Sequence, residues 1–161
     1  MKVEQIMNRT VSACHPEDSL NRAAQLMWDN GCGSLPVVDA HSTPIGFLTD
    51  RDICMAAYTR GKLLHELTVE GTMASSIFCC RIDDELSAAM EVMRNKHVRR
   101  LPVIGRDGTL AGILALDDIA YEAGRSLRGG VNYRLRELVG EVFMAICHGR
   151  VSARPPDAKG S

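Results

Sequence analysis

The chain repeats itself. At a constant spacing of 66 residues, and without a gap, 17 of the 55 positions from Val3 to Ala57 carry the same residue as their downstream partners. Val3, Glu4 and Met7 return as Val69, Glu70 and Met73; Cys14, Asp18, Leu20, Ala23 and Met27 return as Cys80, Asp84, Leu86, Ala89 and Met93. Leu35-Pro36-Val37 becomes Leu101-Pro102-Val103, Gly46 and Leu48 become Gly112 and Leu114, and Asp52-Ile53 becomes Asp118-Ile119. A register held over that length means one supersecondary unit built twice. A unit of this size buries a core poorly on its own, so the two copies are expected to pack together about a pseudo-twofold axis.

Within each copy the same local signals recur. Thr10-Val11-Ser12-Ala13 and Ser76-Ile77-Phe78-Cys79 carry β-branched and apolar residues and predict strands. Asp18 or Ser19 then supplies helix-capping chemistry, followed by Leu20, Ala23, Ala24 and Met27 at helical spacing. Gly31-Cys32-Gly33 ends that helix. Two further apolar strands and a second helix complete a β-α-β-β-α pattern, an α/β (α+β) fold class. The expected boundaries are a first repeat at 1–60, a connector at 61–68 and a second repeat at 69–124. Gly124 to Gly130 reads as a breaker-rich link. At 131–149, Leu135, Leu138, Val139, Val142, Phe143 and Ile146 form one stripe and predict a C-terminal amphipathic helix. Such a face must be covered, by its own disc, by a second subunit or by a foreign partner, and self-association is favoured over a foreign partner. The polar, proline-bearing stretch 150–161 is expected to be a disordered tail.

Composition narrows function by exclusion. A formal net charge of -1 and 4% aromatic residues give no basic, ring-lined surface for nucleic acid. No apolar run approaches the roughly 20 residues that span a bilayer, and the first residues lack a secretion signal's apolar core. The expectation is a soluble, cytoplasmic protein with no nucleic-acid or membrane partner. The six cysteines show no metal-ligand spacing, and no two of the five histidines sit four apart on a helix, so no metal is expected. The vicinal pair Cys79-Cys80 alone invites a redox or metal reading, against which stands the opposite facing of neighbouring strand residues. No nucleophile elbow, metal triad or phosphate-binding glycine loop suggests catalysis.

The chemistry concentrates in Gly46-Phe47-Leu48-Thr49-Asp50-Arg51-Asp52-Ile53. This is a turn glycine, a short apolar strand, a hydroxyl at its end and a carboxylate one helical turn on. Asp52 can accept two hydrogen bonds, which suits a ribose diol. The Thr49 hydroxyl and the backbone N–H groups of the first turn suit a phosphate at the positive end of a helix dipole. The same residues read equally as an ordinary capping box.

Two β-α-β-β-α repeats, each with the leucine-proline-valine strand and the first with the glycine–apolar–apolar–threonine–x–x–aspartate turn, resemble the cystathionine-β-synthase (CBS) domain, whose tandem pair is called a Bateman module. The resemblance covers residues 3 to 123. It implies an inter-repeat cleft for an adenosine-containing ligand: AMP by preference, or ADP, ATP, NAD or S-adenosylmethionine. It further implies a homodimer that signals to a regulated protein. It assigns Thr49, Arg51 and Asp52 to ribose and phosphate, and Arg99 and Arg100 to the phosphate held by the other repeat. Main chain of Val11, Ser12 and Ala13, with Pro36 and Ile53 nearby, is assigned to adenine. The second copy departs from the pattern, with Ala115 in the place of Thr49 and Asp117 in that of Arg51, while Asp118 keeps the carboxylate. One competent and one impaired site are therefore expected. The competing expectations are an interaction scaffold with vestigial clefts, and a thiol or metal sensor.

Overall fold

The computed structural model describes residues 1–125 and 133–152, with side chains described through residue 148. The chain forms two compact units. One comprises Arg9–Cys79 with Pro102–Gly112; the other comprises Met1–Asn8, Cys80–Leu101 and the chain from Ile113 onward.

In the unit built on the first repeat, α1 (Leu20–Asp29) starts at Ser19, whose hydroxyl accepts the Arg22 N–H at 3.2 Å. Leu20, Ala23 and Met27 are buried at the predicted helical spacing. Strands β1 (Ser34–Val38) and β2 (Pro44–Thr49) pair antiparallel with Leu35 opposite Leu48 and Ser34 opposite Thr49. Alternate residues of β2 are buried, Gly46 and Leu48 among them. Gly46 has no room for a side chain: a Cβ there would overlap the Met73 sulfur and lie 3.3 Å from the Ala74 carbonyl. That close approach lets Phe47 and Ala74 exchange backbone hydrogen bonds at 3.0 and 2.9 Å. Helix α2 (Asp50–Arg60) follows β2 without a loop and stops at Gly61, whose φ of 58° lies in the left-handed region. The core gathers Cys14, Leu20, Leu35, Val37, Leu48 and Ile53 with Leu67 of the connector and Val69 just beyond it.

The other unit carries β3 (Cys80–Arg81), α3 (Leu86–Lys96) and α4 (Leu116–Arg125), in the order of the first repeat. Strands β4 (Arg100–Ile104) and β5 (Leu110–Ala115) form a hairpin whose tip, Pro102–Gly112, groups with the first unit. The sheet order is β3-β4-β5. Residues 1–8 group with this unit: Val3 and Glu4 donate backbone hydrogen bonds to Asp84 and Ile82, at 3.0 and 3.1 Å. Val3 and its repeat partner Val69 are both fully buried, each in the unit organised by the other repeat's helices.

Two expectations need correction here. Residues 10–13 form no strand; Cys14 alone bridges to Val37, giving its N–H to Pro36 O at 3.1 Å. β-Branched residues favour extended backbone, which is not the same as having a neighbour to pair with. In the second repeat the strand likewise begins at Cys80, after the predicted 76–79. The C-terminal helix α5 runs Tyr133–Ser152, past Gly149 and into the first residues of the stretch read as a tail. Residues 126–132, most of the breaker-rich link, and 153–161 lie outside the described residues.

Part of the stripe on α5 is covered by its own chain. Helix α5 packs on α3 and α4, burying Leu135, Val142 and Ile146. Glu141 meets Arg94 at 3.5 Å, and the Ala145 carbonyl lies 3.0 Å from His97 Nδ1. His97 adopts a φ of 54° at the end of α3, where the first repeat has Gly31 at 59°. A non-glycine side chain in that region is strained. Phe143, counted in the stripe by period, is 54% exposed.

Candidate functional site

The first-repeat motif folds into a closed reciprocal cap. Thr49 ends β2 and is the N-cap of α2. Its N–H donates to Asp52 Oδ2 at 2.9 Å and its hydroxyl donates to the same oxygen at 2.7 Å. The Asp52 N–H returns a bond to Thr49 Oγ1 at 3.2 Å. Aspartate does here what glutamate does in the usual capping box. Both bonds that the half-buried Asp52 carboxylate accepts fall on Oδ2, which leaves Oδ1 with acceptor capacity for a diol.

The first-turn N–H groups expected to face a phosphate are engaged within the chain. The Asp50 N–H donates to Gly33 O at 3.0 Å, the Arg51 N–H donates to Asp50 Oδ1 at 2.7 Å, and the Asp52 N–H is taken by Thr49. Each first-turn donor already has a protein acceptor. The Asp50 carboxylate, beside Gly33, also places negative charge at the helix start. Arg51 is exposed on this first turn.

Among the other expected residues, Val11, Ser12 and Ala13 are half-buried and Pro36 is fully covered, its carbonyl engaged by Cys14. They share the unit that holds Thr49 and Asp52. Arg99, Arg100 and Asp118 belong to the other unit. Arg99 is exposed, and Arg100 lies 3.7 Å from the Asp117 carboxylate.

The second motif keeps the backbone of the first and loses its hydroxyl. Leu116 N–H donates to Arg99 O at 2.9 Å, the repeat partner of the Asp50–Gly33 bond. Asp118 accepts the Ala115 N–H, as Asp52 accepts that of Thr49. Burial pushes the Asp118 carboxyl above its usual range, helped by the neighbouring Asp117 charge and opposed by the Ala115 N–H and Arg100. A raised carboxylate pKa favours the fold when protonated. Its contribution is complete below the unfolded carboxylate value and is lost as pH rises through the folded one. Asp118→Asn should therefore melt higher than the parent near neutral pH, with the gap closing in acid. Melting curves across that range check it, and a gap independent of pH would refute it.

Two of the cysteines sit where burial disfavours the thiolate. Burial raises the Cys79 thiol and pushes Cys14 up to about 12, the reverse of what a reactive or metal-binding sulfur needs. Among the described residues no group of three or more histidine, cysteine or acidic side chains could hold a metal ion. No helix among them is long and apolar enough to cross a membrane.

Sequence reasoning passed over one feature of the first unit. A cavity of about 550 Å³ opens on the face of α1 and α2, lined by Met27, Trp28, Gly31, Gly33, Asp50 and Ile53 among others. Of the residues expected near a nucleotide only Ile53 touches it. The signal was present in the repeat itself, since Trp28, Gly31 and Gly33 match Arg94, His97 and Arg99.

Comparison with known proteins supplies the family. Residues 3–58 and 67–124 match the family model described as CBS domain. The chain is similar to the CBS domain-containing protein YhcV of Bacillus subtilis, 29% identical over 91% of this chain and 95% of that one. Against an uncharacterized protein of Methanopyrus kandleri it is 29% identical over 74% of its length and spans 61% of that longer protein. A solved structure of Hypoxic Response Protein I with two coordinated zinc ions matches with a TM-score of 0.68 and 29% identity, covering 75% of this chain and 98% of that one. CBSX2 in complex with AMP matches with a TM-score of 0.68 and 26% identity, covering 79% of this chain and 98% of that one.

Proposed function

The chain belongs to the CBS domain family, and from that premise we propose that it is a regulatory, non-catalytic module that binds AMP or a similar adenosine ligand at the start of α2. The observation that carries the reading is Asp52 at a helix start, held by Thr49 through Oδ2 alone. The AMP complex of CBSX2 supports the choice of ligand. In this reading Asp52 takes the ribose hydroxyls and Val11 to Ala13 receive the adenine on their main chain. Arg51, Arg99 and Arg100 are proposed to neutralise the phosphate, since the first-turn N–H groups are engaged. One phosphate suits this set better than three. The proposal extends to a homodimer in the cytoplasm that passes ligand occupancy to a regulated protein.

Ligand that binds only the folded chain stabilises it by mass action, by about 2.7 kcal/mol at a hundredfold excess over Kd. For a chain of this size that is a rise of roughly 5–10 °C in melting temperature. A thermal shift series with AMP, ADP, ATP, NAD and S-adenosylmethionine tests it. The absence of any shift at millimolar concentration would leave a scaffold with vestigial clefts as the better reading.

A further inference from the structure

At the end of α3, His97 holds a left-handed φ of 54° where the first repeat places Gly31 at 59°. Glycine reaches that region freely and histidine does not, so the strain persists only because the surroundings hold it. What holds it is α5. His97 Nδ1 lies 3.0 Å from the Ala145 carbonyl oxygen, and since a carbonyl only accepts, Nδ1 carries the proton and donates. One turn back along both helices, Arg94 meets Glu141 at 3.5 Å. Leu135, Val142 and Ile146 bury against α3 and α4, yet the seam is not filled. A cavity of about 330 Å³ remains between α3 and α5, lined by Glu91, Arg94, Arg134, Glu137 and Glu141 among others. The bond from His97 is itself exposed to solvent. A contact with polar walls, unfilled space and exposed ties is drawn from the low-stability end of a fold and can open locally.

We infer that α5 is the element through which ligand occupancy is read, joined to the phosphate-neutralising arginines by the short segment 97–100. The inference rests on the nucleotide reading above, in which Arg99 and Arg100 serve the phosphate. From His97 the chain passes through Val98 straight into β4. The Val98 N–H donates to Met93 O at 3.1 Å, the Arg99 carbonyl accepts the Leu116 N–H at 2.9 Å, and Arg100 lies 3.7 Å from Asp117. The segment is thus tied to α3 behind it, to α4 beside it and, through His97, to α5. Docked α5 fixes His97 in its left-handed conformation, and with it the direction in which the chain enters β4. When α5 leaves, nothing opposes relaxation of that φ, and Arg99 and Arg100 lose the fixed base that presents them. An arginine on ordered backbone has less freedom to lose on meeting an anion. The docked state therefore binds the phosphate more tightly, and by reciprocity bound nucleotide holds α5 down. Loss of ligand releases the helix and uncovers Val142 and Ile146. Gly31, in the place of His97, has no side chain with which to make such a tie in the first repeat.

Two substitutions at one position separate the tie from the strain. His97→Gly keeps the left-handed backbone without strain and removes the donor. His97→Asn keeps both, because asparagine tolerates that region and its amide nitrogen stands as many bonds from the backbone as Nδ1 does. Amide hydrogen exchange over α5 and calorimetric titration with AMP, both on the full chain, read the two ends of the coupling. In the parent, AMP should slow exchange across α5. His97→Gly should speed that exchange and weaken AMP by about 5-fold or more, the lower end of usual coupling between sites, and His97→Asn should restore both. Val142→Asp undocks α5 from its own side without touching 97–100, and should weaken AMP by a similar factor. AMP affinity unchanged in both His97→Gly and Val142→Asp would overturn the coupling. So would AMP that binds the parent and leaves the exchange of α5 as it was, an outcome that spares the nucleotide reading. A parent that binds no adenosine ligand would remove the nucleotide and the coupling together.

Discussion

Leu48→Ala should destabilise the chain by about 2–5 kcal/mol, the range for truncating a large aliphatic side chain in a tight core. Leu48 is fully buried, pairs across the hairpin with the equally buried Leu35, and is held in one cluster with Leu20, Met27, Ile53 and Val69. Strand and helix meet it at once, because Thr49 follows directly and α2 begins at Asp50. The loss should therefore reach the site as well as the stability. Urea denaturation should show the midpoint falling with little change in slope, and AMP binding should weaken in step with the loosened cap. Leu48→Met, which roughly conserves volume, should cost less than about 1.5 kcal/mol and keep binding. A Leu48→Ala protein as stable as the parent would mean that the core is not centred here.

Asp52→Ala should abolish measurable AMP binding, with a loss of 10-fold to 100-fold as the minimum, while costing the helix about 0.5–2 kcal/mol. Two roles meet in one carboxylate. Oδ2 closes the cap with the Thr49 N–H and hydroxyl, and Oδ1 is the proposed ribose acceptor. Asp52→Glu separates them: the longer side chain is the usual third residue of a capping box, so stability should return while the ribose contact does not. Calorimetric titration with AMP beside melting curves reads both quantities. A stable Asp52→Glu protein that binds AMP as tightly as the parent would remove Asp52 from the ligand.

The pairing of the Thr49 hydroxyl with the Asp52 carboxylate was legible in the sequence because capping chemistry is local, with both partners three residues apart. The repeat was legible for a different reason. Leu20, Ala23 and Met27 recur as Leu86, Ala89 and Met93, and all six are buried. What could not be read was any partner set by the fold. Gly33 supplies the carbonyl that occupies the Asp50 N–H, and nothing about the first turn of α2 announces it. The stripe on α5 declared an apolar face without naming its cover, which proved to be α3 and α4. Residues 10–13 have strand composition but form no ladder, because composition describes the dihedral preference of one segment and pairing needs two. The hollow beside Trp28 was readable only by comparing the copies, where small residues in one stand against large ones in the other.

Val3 and Val69 occupy equivalent places in the duplicated unit, yet each is buried beneath helices contributed by the other copy. The leading segment of one half thus completes its sibling. A cut anywhere in the connector would strand two apolar plugs and open two cores at once. The smallest heritable piece of this architecture is consequently the doubled one, and any gene rearrangement that carries it to another protein must carry both halves, in order, with the stretch before the first.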